Sequence, residues 1–124
     1  MSGNSGVVLI YCPCGSEADA AGIAGELLQR RLIACANIHE SRSLYFWEGT
    51  LNDEKEWVLV CKTASSRAEA AEKAIRELHT YDIPCIIRLE PLAVSNAYEK
   101  WVFGEVTAVR PANEAAGEVG AASS

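Results

Sequence analysis

Two amphipathic patterns, each preceded by a helix-start signal and each set between short apolar runs, constrain this chain more than any other feature. Ser16-Glu-Ala-Asp19 and Ser66-Arg-Ala-Glu69 both place a hydroxyl N-cap three residues before an acid. Apolar residues then recur at helical spacing, at Ala20, Ile23, Ala24, Leu27 and Leu28 and again at Ala71, Ala74, Ile75 and Leu78. We therefore predict two helices, the first ending near Arg30 and Arg31 and the second near His79.

The other apolar runs have the length and composition of strands. We predict four strands: Val7 to Cys12, Leu32 to Ile38 continued by Ser43 to Trp47, Glu56 to Thr63, and Cys85 to Leu92. The polar stretch His39-Glu-Ser-Arg42 interrupts the second of them. Gly49 to Lys55 is predicted as the hairpin turn between the second and third strands. Side chains alternate along a strand, so Trp57, Leu59 and Cys61 should share one face and Cys61 should lie in the core.

The order of these segments predicts the fold class. Ser95 caps a short third helix with Tyr98 and Trp101 as apolar anchors, so the complete order is βαββαβ plus a terminal helix. This order is typical of an α+β, ferredoxin-like sandwich, in which two helices cover one face of a four-stranded antiparallel sheet. We predict one domain over residues 7–108, with an N-terminal tail over 1–6 and a disordered C-terminal tail over 109–124. Strands that are apolar on both faces also predict an oligomer.

Composition excludes several functional classes. A formal net charge of −6 disfavours binding to nucleic acid, which relies on clustered Lys and Arg. No apolar run approaches the roughly 18 residues of a membrane span, and no basic segment precedes Val7, so we expect a cytoplasmic protein without membrane contact. Nucleotide-binding and hydrolase motifs are missing and there are only two histidines, so we predict no enzymatic activity. The five cysteines form an odd, scattered set that favours reduced thiols.

Several segments occur in an order and spacing that match a known family. They are the strand ending in Cys12, Arg31-Leu-Ile-Ala-Cys-Ala-Asn-Ile38, Ser43-Leu-Tyr-Phe-Trp-Glu-Gly49, Cys61-Lys-Thr63, His79-Thr-Tyr-Asp-Ile-Pro84 and Tyr98-Glu-Lys-Trp101. From about Val7 to Phe103 the chain resembles the CutA family of divalent-cation tolerance proteins. The resemblance is to the copper-tolerance type, whose members are periplasmic or cytoplasmic. The resemblance implies a ferredoxin-like protomer in a homotrimer similar to the PII signalling proteins, and an association with copper.

The resemblance also implies metal ligands. The family's proposed copper ligands, a cysteine that ends the first strand and a histidine that ends the second helix, fall on Cys12 and His79. Leu78 stands where a bacterial relative has a second histidine, and Cys14 and Cys85 could replace missing ligands because copper(I) prefers thiolates. Two other interpretations of Cys12 and Cys14 remain open, a buried strand end with a turn thiol and a redox pair.

Aromatic and charged residues outside the thiol group are predicted to lie in intersubunit clefts or at subunit contacts. They are Tyr45, Trp47, Glu48, Lys62, Tyr81 and Trp101. Our first functional hypothesis is a trimeric divalent-cation tolerance protein that binds copper or a similar metal ion. The alternative is a PII-like module that binds a small anionic ligand or a protein partner in its clefts without metal, and a third is a structural scaffold.

Overall fold

The chain folds into the predicted order of strands and helices. The structure is a computed structural model and describes residues 6–107. Its elements are β1 (Val7–Cys14), α1 (Glu17–Gln29), β2 (Cys35–Trp47), β3 (Thr50–Ala64), α2 (Ser65–Leu78), β4 (Ile87–Leu89) and α3 (Asn96–Thr107). The predicted tails, residues 1–6 and 109–124, lie outside the described range except for Gly6, and Ala108, the last residue of the predicted domain, also lies outside it.

The four strands form one antiparallel sheet in the order β2-β3-β1-β4. The register between β1 and β3 runs from Val7 opposite Ala64 to Cys14 opposite Trp57. The long β2-β3 hairpin extends from this central pair. The α+β, ferredoxin-like prediction is therefore confirmed.

The core has two parts, one on each face of the sheet. Alternate residues of β1 and β3, including Ile10, Leu59 and Cys61, pack against α1 and α2 in the larger part. The smaller part joins Val7 to Val102 of α3, which covers one end of the opposite face. Cys61 is fully buried, as predicted, and burial raises the pKa of its thiol to about 12.

The hairpin differs from the prediction in two ways. β2 is continuous through residues 39–42, and β3 begins at Thr50, so the predicted turn over 49–55 is wrong. The turn itself consists of Glu48 and Gly49, whose φ angles of 51° and 81° match the left-handed pair of a tight two-residue hairpin. Exposed strands tolerate polar residues because cross-strand pairs stabilise them, and here the guanidinium of Arg42 donates two hydrogen bonds to Asp53.

Element ends account for the remaining differences. The Ser16 hydroxyl accepts a 3.0 Å hydrogen bond from the Asp19 amide, as predicted for a cap. Ser66 does not cap α2, which begins one residue earlier, at Ser65, without a side-chain cap. β4 has three residues instead of the eight predicted for Cys85 to Leu92, and α3 has twelve residues and is not short.

Candidate metal centre and adjoining cavity

Two thiols and one imidazole meet where β1 ends. Cys12 and Cys14 lie on the same face of β1 because they are two residues apart, and both side chains are fully buried. His79 follows α2, which packs on that face. The two sulfur atoms and a ring nitrogen of His79 all lie within 4.8 Å of one another. Three of the four predicted metal residues are therefore adjacent.

Hydrogen bonds determine the tautomer of His79. Its Nδ1 accepts a 3.1 Å hydrogen bond from the Tyr81 amide, so this nitrogen carries no proton. Its Nε2 lies 2.9 Å from the carbonyl oxygen of Pro13 and donates to it. Both nitrogens are thus engaged, and the ring connects the end of α2 to β1. A metal ion bound to Nδ1 would replace one of these bonds, whereas one bound to Nε2 would disrupt both.

The two buried thiols have different acidities. A hydrogen bond with Cys14 raises the pKa of Cys12, and burial raises it further. The same hydrogen bond lowers the pKa of Cys14. Cys14 is therefore the first of the pair to lose its proton as pH rises, and the thiolate is the form of cysteine that binds metal ions.

Cys85, the fourth predicted ligand, lies outside this group. Its side chain is exposed on the segment before β4, although it is near enough to contribute to the raised pKa of Cys12. No disulfide joins any of the five cysteines, all of which lie within residues 6–107.

A cavity of about 420 Å³ lies beside the cluster of Cys12, Cys14 and His79. Pro13, which stands between the two cysteines, forms part of its wall. Its walls come from β1, the β2-β3 hairpin and the segment after α2. They are formed by Pro13, Tyr45, Trp47, Glu54, Glu56, Tyr81, Asp82, Ile83 and Cys85. Three of the six residues predicted for intersubunit clefts or contacts, Tyr45, Trp47 and Tyr81, therefore line one cavity within a single chain.

The other three predicted cleft or contact residues lie elsewhere. The Lys62 ammonium is 5.7 Å from the centre of the Tyr98 ring, and Trp101 packs against the same ring at 5.5 Å. Glu48 forms the tip of the hairpin. These residues do not contribute to the cavity.

Sequence reasoning missed the acidic residues of the cavity. Glu54 and Glu56 belong to the same face of β3 by strand alternation, which was the available signal, but the predicted turn over 49–55 concealed it. The contact between Tyr81 and Glu56 joins residues 25 positions apart and has no local signal.

Comparison with known proteins identifies the family. The family model described as "CutA1 divalent ion tolerance protein" matches residues 8–105. The chain belongs to this family. The CutA resemblance inferred from the sequence is confirmed. The family is named for tolerance of divalent ions, and its name indicates no catalytic activity.

Individual CutA relatives agree with this assignment over most of their length. The divalent-cation tolerance protein CutA of Pyrococcus horikoshii is 37% identical over 99 residues, which are 80% of this chain and 97% of that protein. The crystal structure of CutA1 from Ehrlichia chaffeensis has a TM-score of 0.80 and 31% identity, and the match covers 82% of this chain and 96% of that one.

A further CutA structure bears on location. The structure from Archaeoglobus fulgidus, named a periplasmic divalent cation tolerance protein, has a TM-score of 0.78 and 28% identity over 81% of this chain and 98% of that one. The cytoplasmic location therefore stays a prediction. Within residues 6–107, no helix combines the length and apolar character needed to cross a membrane.

Proposed function

We propose that this protein acts in divalent-cation tolerance by binding copper, or a metal ion of similar preference, with Cys12, Cys14 and His79. The observation that carries the proposal is the approach of two sulfur atoms and a ring nitrogen to within 4.8 Å. Membership of a family named for divalent ion tolerance supports it. No enzymatic step is part of the proposal.

The donor set fits a soft or borderline metal ion. Thiolates favour copper(I) and zinc, and imidazole also suits copper and zinc. With metal–sulfur distances of about 2.3 Å, the ligand atoms of a tetrahedral site lie about 3.8 Å apart. The ligand atoms here lie within 4.8 Å of one another, so metal binding would draw the most distant pair together by about 1 Å. Cys85 could complete the site if its exposed segment moved toward Cys12.

The test is an anaerobic competition titration of the reduced protein with copper(I). We expect about one metal ion per subunit, and binding weakened at least tenfold in Cys12→Ser, Cys14→Ser and His79→Gln. Cys35→Ser is the matched control because Cys35 is also buried but does not belong to the group. Circular dichroism verifies that each variant is folded. If Cys12→Ser and Cys14→Ser bind copper(I) as tightly as the unsubstituted protein does, the proposed ligands are refuted.

We also propose that the protein assembles as a homotrimer. The β2-β3 hairpin exposes large apolar side chains that soluble monomers rarely cluster, with Phe46 72% exposed. Leu44 and Leu51 add to this surface. Light scattering at micromolar concentration should give three times the subunit mass, and a monomer would contradict the proposal.

A further inference from the structure

We propose that the cavity beside the thiol group binds a small organic cation, such as a quaternary ammonium or guanidinium compound. This function is separate from metal binding and does not require it. The cavity volume of about 420 Å³ lies within the range of small-molecule sites. Its walls combine three aromatic rings with three carboxyl groups.

The aromatic part of the cavity suits a cation. Tyr45, Trp47 and Tyr81 come from two separate segments and line the same space. The faces of aromatic rings carry negative potential and attract cations, most strongly when water is displaced. An organic cation combines charge with apolar surface, so it gains from both the rings and the apolar wall formed by Ile83.

The acidic part of the cavity excludes the opposite charge. Glu54, Glu56 and Asp82 line the cavity, and no basic side chain of residues 6–107 is among its lining residues. Both tyrosine hydroxyls donate to these carboxylates, Tyr45 to Glu54 at 3.0 Å and Tyr81 to Glu56 at 2.8 Å. Both hydroxyl donors of the cavity are therefore already used, and the three carboxyl groups would repel a negative charge, which disfavours the small anionic ligand considered from the sequence.

Glu56 is the most buried of the three acidic residues that line the cavity. The residue is only 7% exposed, and within residues 6–107 it forms no ion pair with Lys, Arg or His. The Tyr81 hydroxyl is its one hydrogen-bond donor among these residues. Burial of a carboxylate without a counter-ion is unfavourable, and a bound cation would compensate for it. We expect a ligand to supply that charge, because no basic side chain of residues 6–107 lines the cavity.

The first experiment measures binding to the full, assembled protein by isothermal titration calorimetry at constant ionic strength. The probes are tetramethylammonium, its neutral analogue tert-butanol, and acetate. We expect saturable binding of tetramethylammonium, at least about tenfold tighter than that of tert-butanol, and no binding of acetate. Absence of saturable binding, or equal affinity for the neutral analogue, would overturn the proposal.

Variants assign the binding to the cavity. Glu56→Gln keeps an acceptor for the Tyr81 hydroxyl but removes the charge, and Trp47→Leu removes one ring; each should weaken binding about tenfold or more. Glu40→Gln is the matched control because Glu40 is an exposed carboxylate outside the cavity. Unchanged affinity in Glu56→Gln would overturn the proposal. Cys12→Ser should bind the cation normally, which separates this result from the test of the metal site.

Discussion

Replacement of His79 by alanine tests the hydrogen-bonded arrangement that connects α2 to β1. The variant loses the partly buried bond to the Pro13 carbonyl, worth about 1 kcal/mol, and the exposed bond from the Tyr81 amide, worth about half as much. It also loses the tilted ring contact with Tyr81 at 4.7 Å, which contributes about 0.5 kcal/mol. We expect the free energy of unfolding to fall by about 2 kcal/mol.

Urea denaturation followed by circular dichroism measures this change. All samples contain a chelator and the same protein concentration, because metal binding and assembly also change apparent stability. His39→Ala is the matched control, since His39 is the other histidine and is exposed on β2; its effect should stay within about 0.5 kcal/mol.

Two results would refute the reasoning about His79. The first is a loss of less than about 0.5 kcal/mol in the chelated protein, since the two hydrogen bonds would then contribute nothing. The second is a loss that arises only when metal is added, which would make the ring a ligand without a structural role.

Three further predictions concern other parts of the molecule. Thr63→Val keeps the shape of a buried side chain but removes its 2.7 Å hydrogen bond to the Leu32 carbonyl, so urea denaturation should show a loss of about 1–2 kcal/mol; unchanged stability would contradict this bond. The ion pair with Arg88 holds the pKa of Glu72 below its usual 4.5, so the pair stabilises the fold above pH 4.5 and this contribution is lost as pH falls through the lowered pKa. The stability difference between the protein and Glu72→Gln, at most about 1 kcal/mol, should therefore vanish in acid, and a difference independent of pH would refute the assignment. Cys85, the only exposed thiol of the five, should react first with a thiol reagent, and a fast phase that persists in Cys85→Ser would show that a buried thiol is accessible.

Local patterns in the sequence determined much of the fold, whereas the candidate metal ligands were predicted from the family resemblance and from the preference of copper(I) for thiolates. The cap at Ser16 depends on neighbouring residues alone, and so does the alternation that places Cys61 in the core. The element order then predicted the ferredoxin-like topology, because few arrangements can bury these faces together. The hairpin was predicted less well, since its polar strands are stabilised by cross-strand pairs that no local pattern reveals.

Only the tertiary structure decided how distant residues combine. His79 lies 66 positions from Pro13, yet its ring donates to the Pro13 carbonyl, because α2 packs across the face of the sheet where β1 ends. Glu56 and Tyr81 likewise meet at the cavity and turn two separate segments into one acidic, aromatic wall. Such contacts depend on the packing of complete elements, so the sequence by itself determined the donors and the faces, and long-range packing decided which of them share a site.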